Sequence, residues 1–365
     1  MARSRFAISA TATIFVVLSI LVAPAAAKQD PGGVLAEGLS DPRGIAAGGA
    51  GSVLAAESGN GKLTLVEPRR GGKVSVSTFA SLPSEDGGGP VDVAFKSLNK
   101  TWVLATLPPE EGGGGGGQLL RLNRKGKIVE KIDIAGYQQG DPDPDDQEGL
   151  PEESNPNGLA LLPGGGILVA DAANNDLLLV DTRREITTVA RFKPELVPWP
   201  DGLPFPGPPA GTPVPAEAVP TAVAIGPDGA WYVSELKGFP FAKEASRIWR
   251  IEPGSEGATC DPANPSSGPC QTVGTGFTSV IDLAIGRDGT MYVLEIVKEG
   301  LLGVEVFGDP PIGALWAVKN GVKTELAAGT LMAPGGVSVG FDGSLSVTTG
   351  TVFGPGGGAV VRINP

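Results

Sequence analysis

One phrase recurs along this chain and limits what it can fold into. A proline-led turn opens a short alternating apolar run, a tight Gly-rich turn leads to a second run ending on a polar residue, and a third run follows. The copy at 220–251 reads PTAVAIGPDGAWYVSELKGFPFAKEASRIWRI. Short runs with period-two alternation, separated by Gly and Pro turns, predict three antiparallel strands.

The phrase occurs six times, and its copies begin at Pro42, Pro90, Pro156, Pro220, Val280 and Pro334. In five copies another alternating segment follows the third run and predicts a fourth, outer strand. The sixth copy lacks this segment, but residues 33–39 near the start of the chain have its pattern. The sequence therefore predicts an all-β, six-bladed β-propeller of four-stranded antiparallel blades. We expect the N-terminal strand to close the ring, which leaves no open sheet edge.

Residues 1–27 have the pattern of a signal peptide. Arg3 and Arg5 precede an apolar segment at 12–23, and three alanines at 25–27 provide the small residues that a signal peptidase needs. An uncleaved membrane anchor is the alternative, although the apolar segment is short for a span. We expect residues 28–365 to be one propeller domain, secreted or periplasmic, with repeats of about 56 residues.

Composition excludes several function classes. The chain contains no His, which excludes Ser-His-Asp and Cys-His catalysis and His-ligated metal sites. The formal net charge is −12, and loss of residues 1–27 makes it two units more negative. Such a surface repels phosphates, so neither nucleic acid nor an anionic membrane is an expected partner. No later segment is apolar enough to span a membrane, and we expect a monomer.

Cys260 and Cys270 are the only cysteines, and nine residues separate them. In an exported protein this spacing predicts a small disulfide-closed loop. Two thiols without His or further Cys cannot fill the coordination shell of zinc.

The long insertions all fall before a first strand or after a second strand, and in a propeller blade these two connections open on the same face. They lie at 106–118, 136–155, 194–219, 236–245, 296–313 and 350–358. The turns between first and second strands are minimal. We therefore expect the function on this loop-rich face, since binding residues are commonly carried on loops of a rigid scaffold. Insertions that are tolerated without any function are the alternative.

Two positions of the repeat place polar side chains near the loop-rich end of the central channel. The candidate metal ligands at these positions are Glu57, Asp92, Asn157, Asp171, Glu235, Asp282 and Glu295. Carboxylate and amide oxygens suit Ca²⁺ or Mg²⁺, and ligands drawn from separate blades favour the wide shell of Ca²⁺. The alternative is that Glu57, Asp171 and Glu235 accept backbone N–H bonds in the turn that follows each of them.

Aromatic side chains in and near the insertions are candidate anchors for a small molecule, a glycan or a protein on the same face. They are Trp199, Phe205, Phe239, Phe241, Phe307 and Trp316.

Residues 219–241, which include Gly-Phe-Pro-Phe at 238–241, together with 247–251, 154–158 and 169–175, resemble the ScyD/ScyE family. The repeats are also similar to NHL propellers. The resemblance implies an exported six-bladed propeller associated with biosynthesis of the pigment scytonemin, and it supplies no catalytic residues to transfer.

Two functions follow from these observations. We expect a non-catalytic, exported binding or scaffold propeller whose loop-rich face holds a ligand or partner. The alternative is a divalent-metal-dependent lactonase or esterase-like hydrolase, in which the cation polarises an ester carbonyl and no His is needed. Ca²⁺ is the one cofactor that the sequence indicates.

Overall fold

The computed structural model describes residues 33–84, 88–107, 116–266 and 268–364, and in it six four-stranded antiparallel sheets form a six-bladed propeller. The predicted fold is confirmed. The predicted signal peptide at 1–27 lies outside the described residues. Within the described ranges, no helix has the length and apolar character needed to cross a membrane.

The described residues form 27 strands and two short α-helices. In chain order the strands are β1 Val34–Leu39, β2 Pro42–Ala47, β3 Val53–Glu57, β4 Lys62–Pro68, β5 Val74–Ser81, β6 Gly89–Ser97, β7 Lys100–Leu107, β8 Gly116–Leu122, β9 Ile128–Asp133, β10 Pro156–Leu161, β11 Ile167–Asp171, β12 Asp176–Val180, β13 Ile186–Phe192, β14 Glu195–Pro198, β15 Pro213–Ala216, β16 Pro220–Ile225, β17 Trp231–Glu235, β18 Ser246–Ile251, β19 Ala258–Cys260, β20 Cys270–Phe277, β21 Val280–Ile285, β22 Met291–Glu295, β23 Ala314–Lys319, β24 Val322–Leu326, β25 Val337–Val339, β26 Leu345–Thr349 and β27 Gly358–Ile363. The helices are α1 Ile134–Gln138 and α2 Leu301–Phe307.

Each blade is one copy of the repeat, with its first strand innermost. Blade 1 consists of β2 to β5, blade 2 of β6 to β9, and blade 3 of β10 to β13. Blade 4 contains β16, β17, β18 and β20, and blade 5 contains β21 to β24. Blade 6 contains β25 to β27 from the end of the chain, with β1 as its outer strand. β1 runs antiparallel to β27, so Val34 lies opposite Val361 and Leu39 lies opposite Gly358. The predicted closure of the ring is therefore confirmed.

The hydrophobic core lies between the blades. All five residues of β3 are buried, as are all five of β11, because neighbouring blades cover both faces of a second strand. One apolar cluster contains Leu54 of blade 1 with Val103 and Leu120 of blade 2, and another joins Leu168 of blade 3 to Trp249 of blade 4. The apolar runs of the repeat thus hold the blades to one another.

The inner strands approach each other closely around the channel. A Cβ atom added at Gly158 would lie 2.6 Å from Cα of Ala222, and one at Gly336 would lie 2.6 Å from the carbonyl oxygen of Arg43. Side-chain hydrogen bonds of 2.6–3.0 Å cross each of the six seams between neighbouring blades. They join Ser58 Oγ to Pro90 O, Leu159 N to Asp92 Oδ2, Asn157 Nδ2 to Thr221 O, Thr221 Oγ1 to Val280 O, Val337 N to Asp282 Oδ2, and Thr348 Oγ1 to Arg43 O.

The connection between β18 and β20 is long although it opens on the face opposite the other insertions. Within it, β19 leaves blade 4 and pairs in parallel with β13, the outer strand of blade 3, so that Ala258 lies opposite Ala190. The predicted disulfide between Cys260 and Cys270 is confirmed, and both cysteines are buried. The bond links β19 to β20 and so attaches the outer edge of blade 4 to that of blade 3.

Closure of the ring by β1 can be tested at Ala36, which is 5% exposed and packs in a cluster with Val360 and Ile45. Ala36→Asp should lower the free energy of unfolding by roughly 3 kcal/mol, because it places an unpaired carboxylate among apolar side chains. The exposed neighbour Glu37 gives the matched control, and Glu37→Ala should change stability by less than about 0.5 kcal/mol. Urea denaturation measures both, and equal stabilities would contradict the closure.

Candidate functional site

Four of the predicted metal ligands end second strands and are almost completely buried. Three of them accept hydrogen bonds from backbone N–H groups just before the inner strand of the same blade, and the pairs are Ser40 N to Glu57 Oε2 at 2.9 Å, Asn155 N to Asp171 Oδ1 at 2.7 Å, and Thr278 N to Glu295 Oε1 at 2.7 Å. The fourth, Glu235, accepts from the indole N–H of Trp249. Glu57, Asp171 and Glu295 thus hold the entering loops of blades 1, 3 and 5, as acidic turn caps do.

Asp92 and Asp282 occupy equivalent positions in blades 2 and 5, which lie opposite each other in a ring of six. The other four blades carry Gly44, Gly158, Ala222 and Gly336 at this position. Both carboxylates line the same central cavity of about 220 Å³. In each, one oxygen accepts the N–H of the following residue at 2.7 Å, and the other accepts an N–H from the inner strand of the next blade.

Both channel carboxyls hold a proton more tightly than an ordinary aspartate. Burial, with the charge of Asp282 as a second cause, raises the pKa of Asp92 to about 8, although its two N–H bonds favour the ionised form. Burial likewise raises the pKa of Asp282 to about 6. Because the two groups interact, they titrate as a pair.

The seven predicted metal ligands are therefore divided between different roles. Asn157 donates from Nδ2 to the carbonyl oxygen of Thr221, 2.8 Å away, and joins blade 3 to blade 4. Within the described ranges, no group of three or more His, Cys, Asp or Glu side chains lies close enough to hold a metal ion. A Ca²⁺ shell takes six to eight oxygens. The prediction of a Ca²⁺ site now depends on Asp92 and Asp282, with backbone carbonyls or water supplying the remaining oxygens.

Three of the long insertions enclose a larger cavity on the loop-rich face, away from the ring axis. Its volume is about 660 Å³, and it is lined by residues within 195–200, 240–245 and 299–309. Trp199, Phe241 and Phe307 all line it. Leu196 is 69% exposed and Phe307 is 55% exposed, so large apolar side chains face solvent here. Exposed apolar surface of this kind marks binding sites in many soluble proteins.

Four of the six predicted aromatic anchors form one cluster at this cavity. Phe239 is its centre, with ring centroids 5.5 Å from Trp199, 6.1 Å from Phe205 and 5.8 Å from Phe241. These separations are typical of favourable aromatic pairs. Phe307 lies on α2 in a different loop of the same cavity.

Trp316 lies elsewhere. It belongs to β23 of blade 5 and packs against the apolar cluster that contains Phe277 and Val293. Its ring lies under Nζ of Lys298, 5.3 Å from the ring centroid.

A group of buried charges, which the sequence did not indicate, holds one wall of the cavity. Glu195 begins the β14–β15 hairpin, and its carboxylate pairs with the guanidinium of Arg247 and with Nζ of Lys237 at 3.5 Å. Lys237 and Glu235 are fully buried and form an ion pair at 2.7 Å. Charges removed from water must be paired, and here the pairing joins the hairpin to blade 4. The sequence signal for this group is weak and consists of the basic residues Lys237 and Arg247, which follow Glu235 in blade 4.

No family model and no curated protein matches the chain. Among solved structures, the chain is similar to a putative oxidoreductase (glucose dehydrogenase) of Thermus thermophilus, with 22% identity, a TM-score of 0.53, and coverage of 90% of this chain and 98% of that one. It is also similar to the PQQ-bound aldose sugar dehydrogenase of Streptomyces coelicolor, with 15% identity, a TM-score of 0.54, and coverage of 93% and 99%. A Bacteroides thetaiotaomicron protein of unknown function matches at 14% identity and a TM-score of 0.53, over 92% and 72%. At these identities the likeness shows the six-bladed propeller fold alone.

Asp92 and Asp282, here called the channel pair, predict that the free energy of unfolding depends on pH. The folded state raises the pKa of Asp92 to about 8 and that of Asp282 to about 6, whereas an unfolded Asp titrates near pH 3.9. Between these values the folded protein binds more protons than the unfolded chain, and its free energy of unfolding should therefore fall as the pH rises from about 4 to about 8. Asp282→Asn removes one titrating group and the charge that opposes ionisation of Asp92, so this decline should become smaller.

Urea denaturation across this pH range measures the effect. Asp288→Asn is the control, because Lys319 lowers the pKa of this exposed carboxyl to about 2, outside the range. Parallel stability curves for the wild type and Asp282→Asn would contradict the account.

Proposed function

We propose that the protein is an exported, non-catalytic binding propeller that holds a small ligand in the cavity between residues 195–200, 240–245 and 299–309. The observation that supports this most strongly is the aromatic lining of a cavity of about 660 Å³, carried by loops on a rigid ring. Sites for small organic ligands are concave, mostly apolar and about 300–1,000 Å³ in volume. The size of this cavity favours a small molecule over a glycan or a protein.

The position of the Gly-Phe-Pro-Phe segment supports a place in the ScyD/ScyE family and a role in scytonemin-type secondary metabolism. This segment, at 238–241, is the most specific part of the resemblance. Phe239 is the centre of the aromatic cluster, and Pro240 and Phe241 line the cavity. A family-specific segment at the binding surface is expected if the family shares a class of ligand.

The chemistry of the lining supports binding over catalysis. The described residues around the cavity include no Ser, Thr, Cys or Tyr, and the chain has no His. A Ser-His or Cys-His pair therefore has no place among them. Enzymes occur among the structural neighbours, but the similarity to them shows a shared fold and not a shared reaction.

Phe307→Ala tests the site, because a half-exposed side chain contributes little to folding and much to ligand contact. We expect the neutral dye Nile red to bind the wild type, and the substitution to weaken binding by about tenfold through loss of apolar contact. Phe341→Ala is the matched control: Phe341 is 71% exposed and lies in a first-to-second-strand turn on the opposite face. Dye fluorescence measures both affinities. If the two substitutions weaken dye binding equally, or if neither weakens it, the cavity is not the binding site.

The alternative function, a divalent-metal-dependent hydrolase, depends on the channel pair. It predicts that millimolar Ca²⁺ raises the melting temperature at about pH 8, because a cation relieves the repulsion between Asp92 and Asp282. Asp282→Asn should abolish that rise, and hydrolysis of lactones or esters should require the added metal. A melting temperature unchanged by Ca²⁺ and Mg²⁺ would exclude this function and leave the pair as a proton-binding group.

A further inference from the structure

The polar side chains around the larger cavity on the loop-rich face are mostly acidic. Four carboxylates line it, from Glu195, Glu244, Glu299 and Asp309, and Lys243 is the only basic side chain in the described lining. Ion pairing neutralises two of the four, since Glu195 pairs with Arg247, and Nζ of Lys243 lies 2.9 Å from Glu299. Within the described ranges, Glu244 and Asp309 lie within salt-bridge distance of no basic side chain. The rim of the cavity therefore has an excess of negative charge.

This charge lies beside aromatic rings and not apart from them. Glu244 follows Phe241 by three residues in one wall, and Asp309 follows Phe307 by two in another. A cation near the faces of Trp199 and Phe307 would gain both from the ring quadrupoles and from the two unpaired carboxylates. An anion of the same shape would meet repulsion, and a neutral molecule would gain apolar contact alone. The acidic protein as a whole also attracts cations over a longer range.

We propose, on the basis of the function proposed above, that the ligand is a small organic cation: an amine or related positive group on an aromatic or apolar body. The apolar body packs against Trp199, Phe241 and Phe307, and the positive group lies at the rim near Glu244 and Asp309. The cavity thereby selects ligands by charge as well as by apolar size.

Three probes of one shape and different charge separate these contributions: 4-phenylbutylamine, 4-phenylbutanol and 4-phenylbutyrate. Calorimetric titration should show that the amine binds about tenfold more tightly than the alcohol, and the alcohol more tightly than the acid. Raising the ionic strength from about 0.01 M to about 1 M should reduce the preference for the amine and leave binding of the alcohol nearly unchanged.

Glu244→Gln with Asp309→Asn tests the assignment of the two carboxylates. This double variant should bind the amine and the alcohol equally, while its affinity for the alcohol stays that of the wild type. Glu37→Gln, in the outer strand of blade 6, removes one exposed charge far from the cavity and should keep the full preference. If both variants lose the preference alike, overall charge and not the rim is responsible, and the proposal is wrong.

The outcomes separate this proposal from the one on which it rests. If the three probes bind equally, and Phe307→Ala weakens all of them, the cavity is a binding site and only the charge selection is overturned. If none of the three binds, and Nile red does not bind either, the cavity itself is overturned as the site.

Discussion

The seams between neighbouring inner strands are the constraint on which the rest of the structure depends. Six blades can close only if these strands come close together around the channel, as at Gly158 and Gly336, where a Cβ atom would meet the next blade at 2.6 Å. A hydrogen bond that involves a polar side chain crosses every seam: Asn157 donates one, and Asp92 and Asp282 each accept one. Because Asp92 and Asp282 also line the channel, polar side chains there can serve to close the ring without forming a reactive site.

A ring closed in this way leaves the loops of one face free to form a site. Blades 3, 4 and 5 supply the loops around the larger cavity, and the buried ion pairs of Glu195 and Glu235 fix the β14–β15 hairpin against blade 4. The cavity consequently lies over the side of the ring and not over its axis. Its walls combine aromatic rings with carboxylates, whereas the channel offers two carboxylates among mostly aliphatic residues.

The sequence predicts the ring well, because strand alternation and the repeat are local patterns that neighbouring copies reinforce. Closure by residues 33–39 follows from one missing outer strand, and the disulfide follows from two closely spaced cysteines in a chain whose first 27 residues predict export. The pairing of β19 with blade 3 was not predictable, since a three-residue strand carries too little pattern. Sequence places Glu57, Asp171 and Glu295 at strand ends, but only the structure shows that their oxygens accept N–H bonds from the entering loops. Trp316 and Phe239 are equally aromatic in sequence, yet one packs within blade 5 and the other is the centre of the cavity cluster.

The central claim is that ligands bind off the axis, between the loops, and not in the channel. Hydrogen–deuterium exchange with and without saturating 4-phenylbutylamine tests this directly, because a bound ligand slows the opening of the segments that it contacts. We expect slower exchange in peptides covering 195–200, 240–245 and 299–309, with the inner strands unchanged. Slower exchange confined to the inner strands around Asp92 and Asp282 would contradict it.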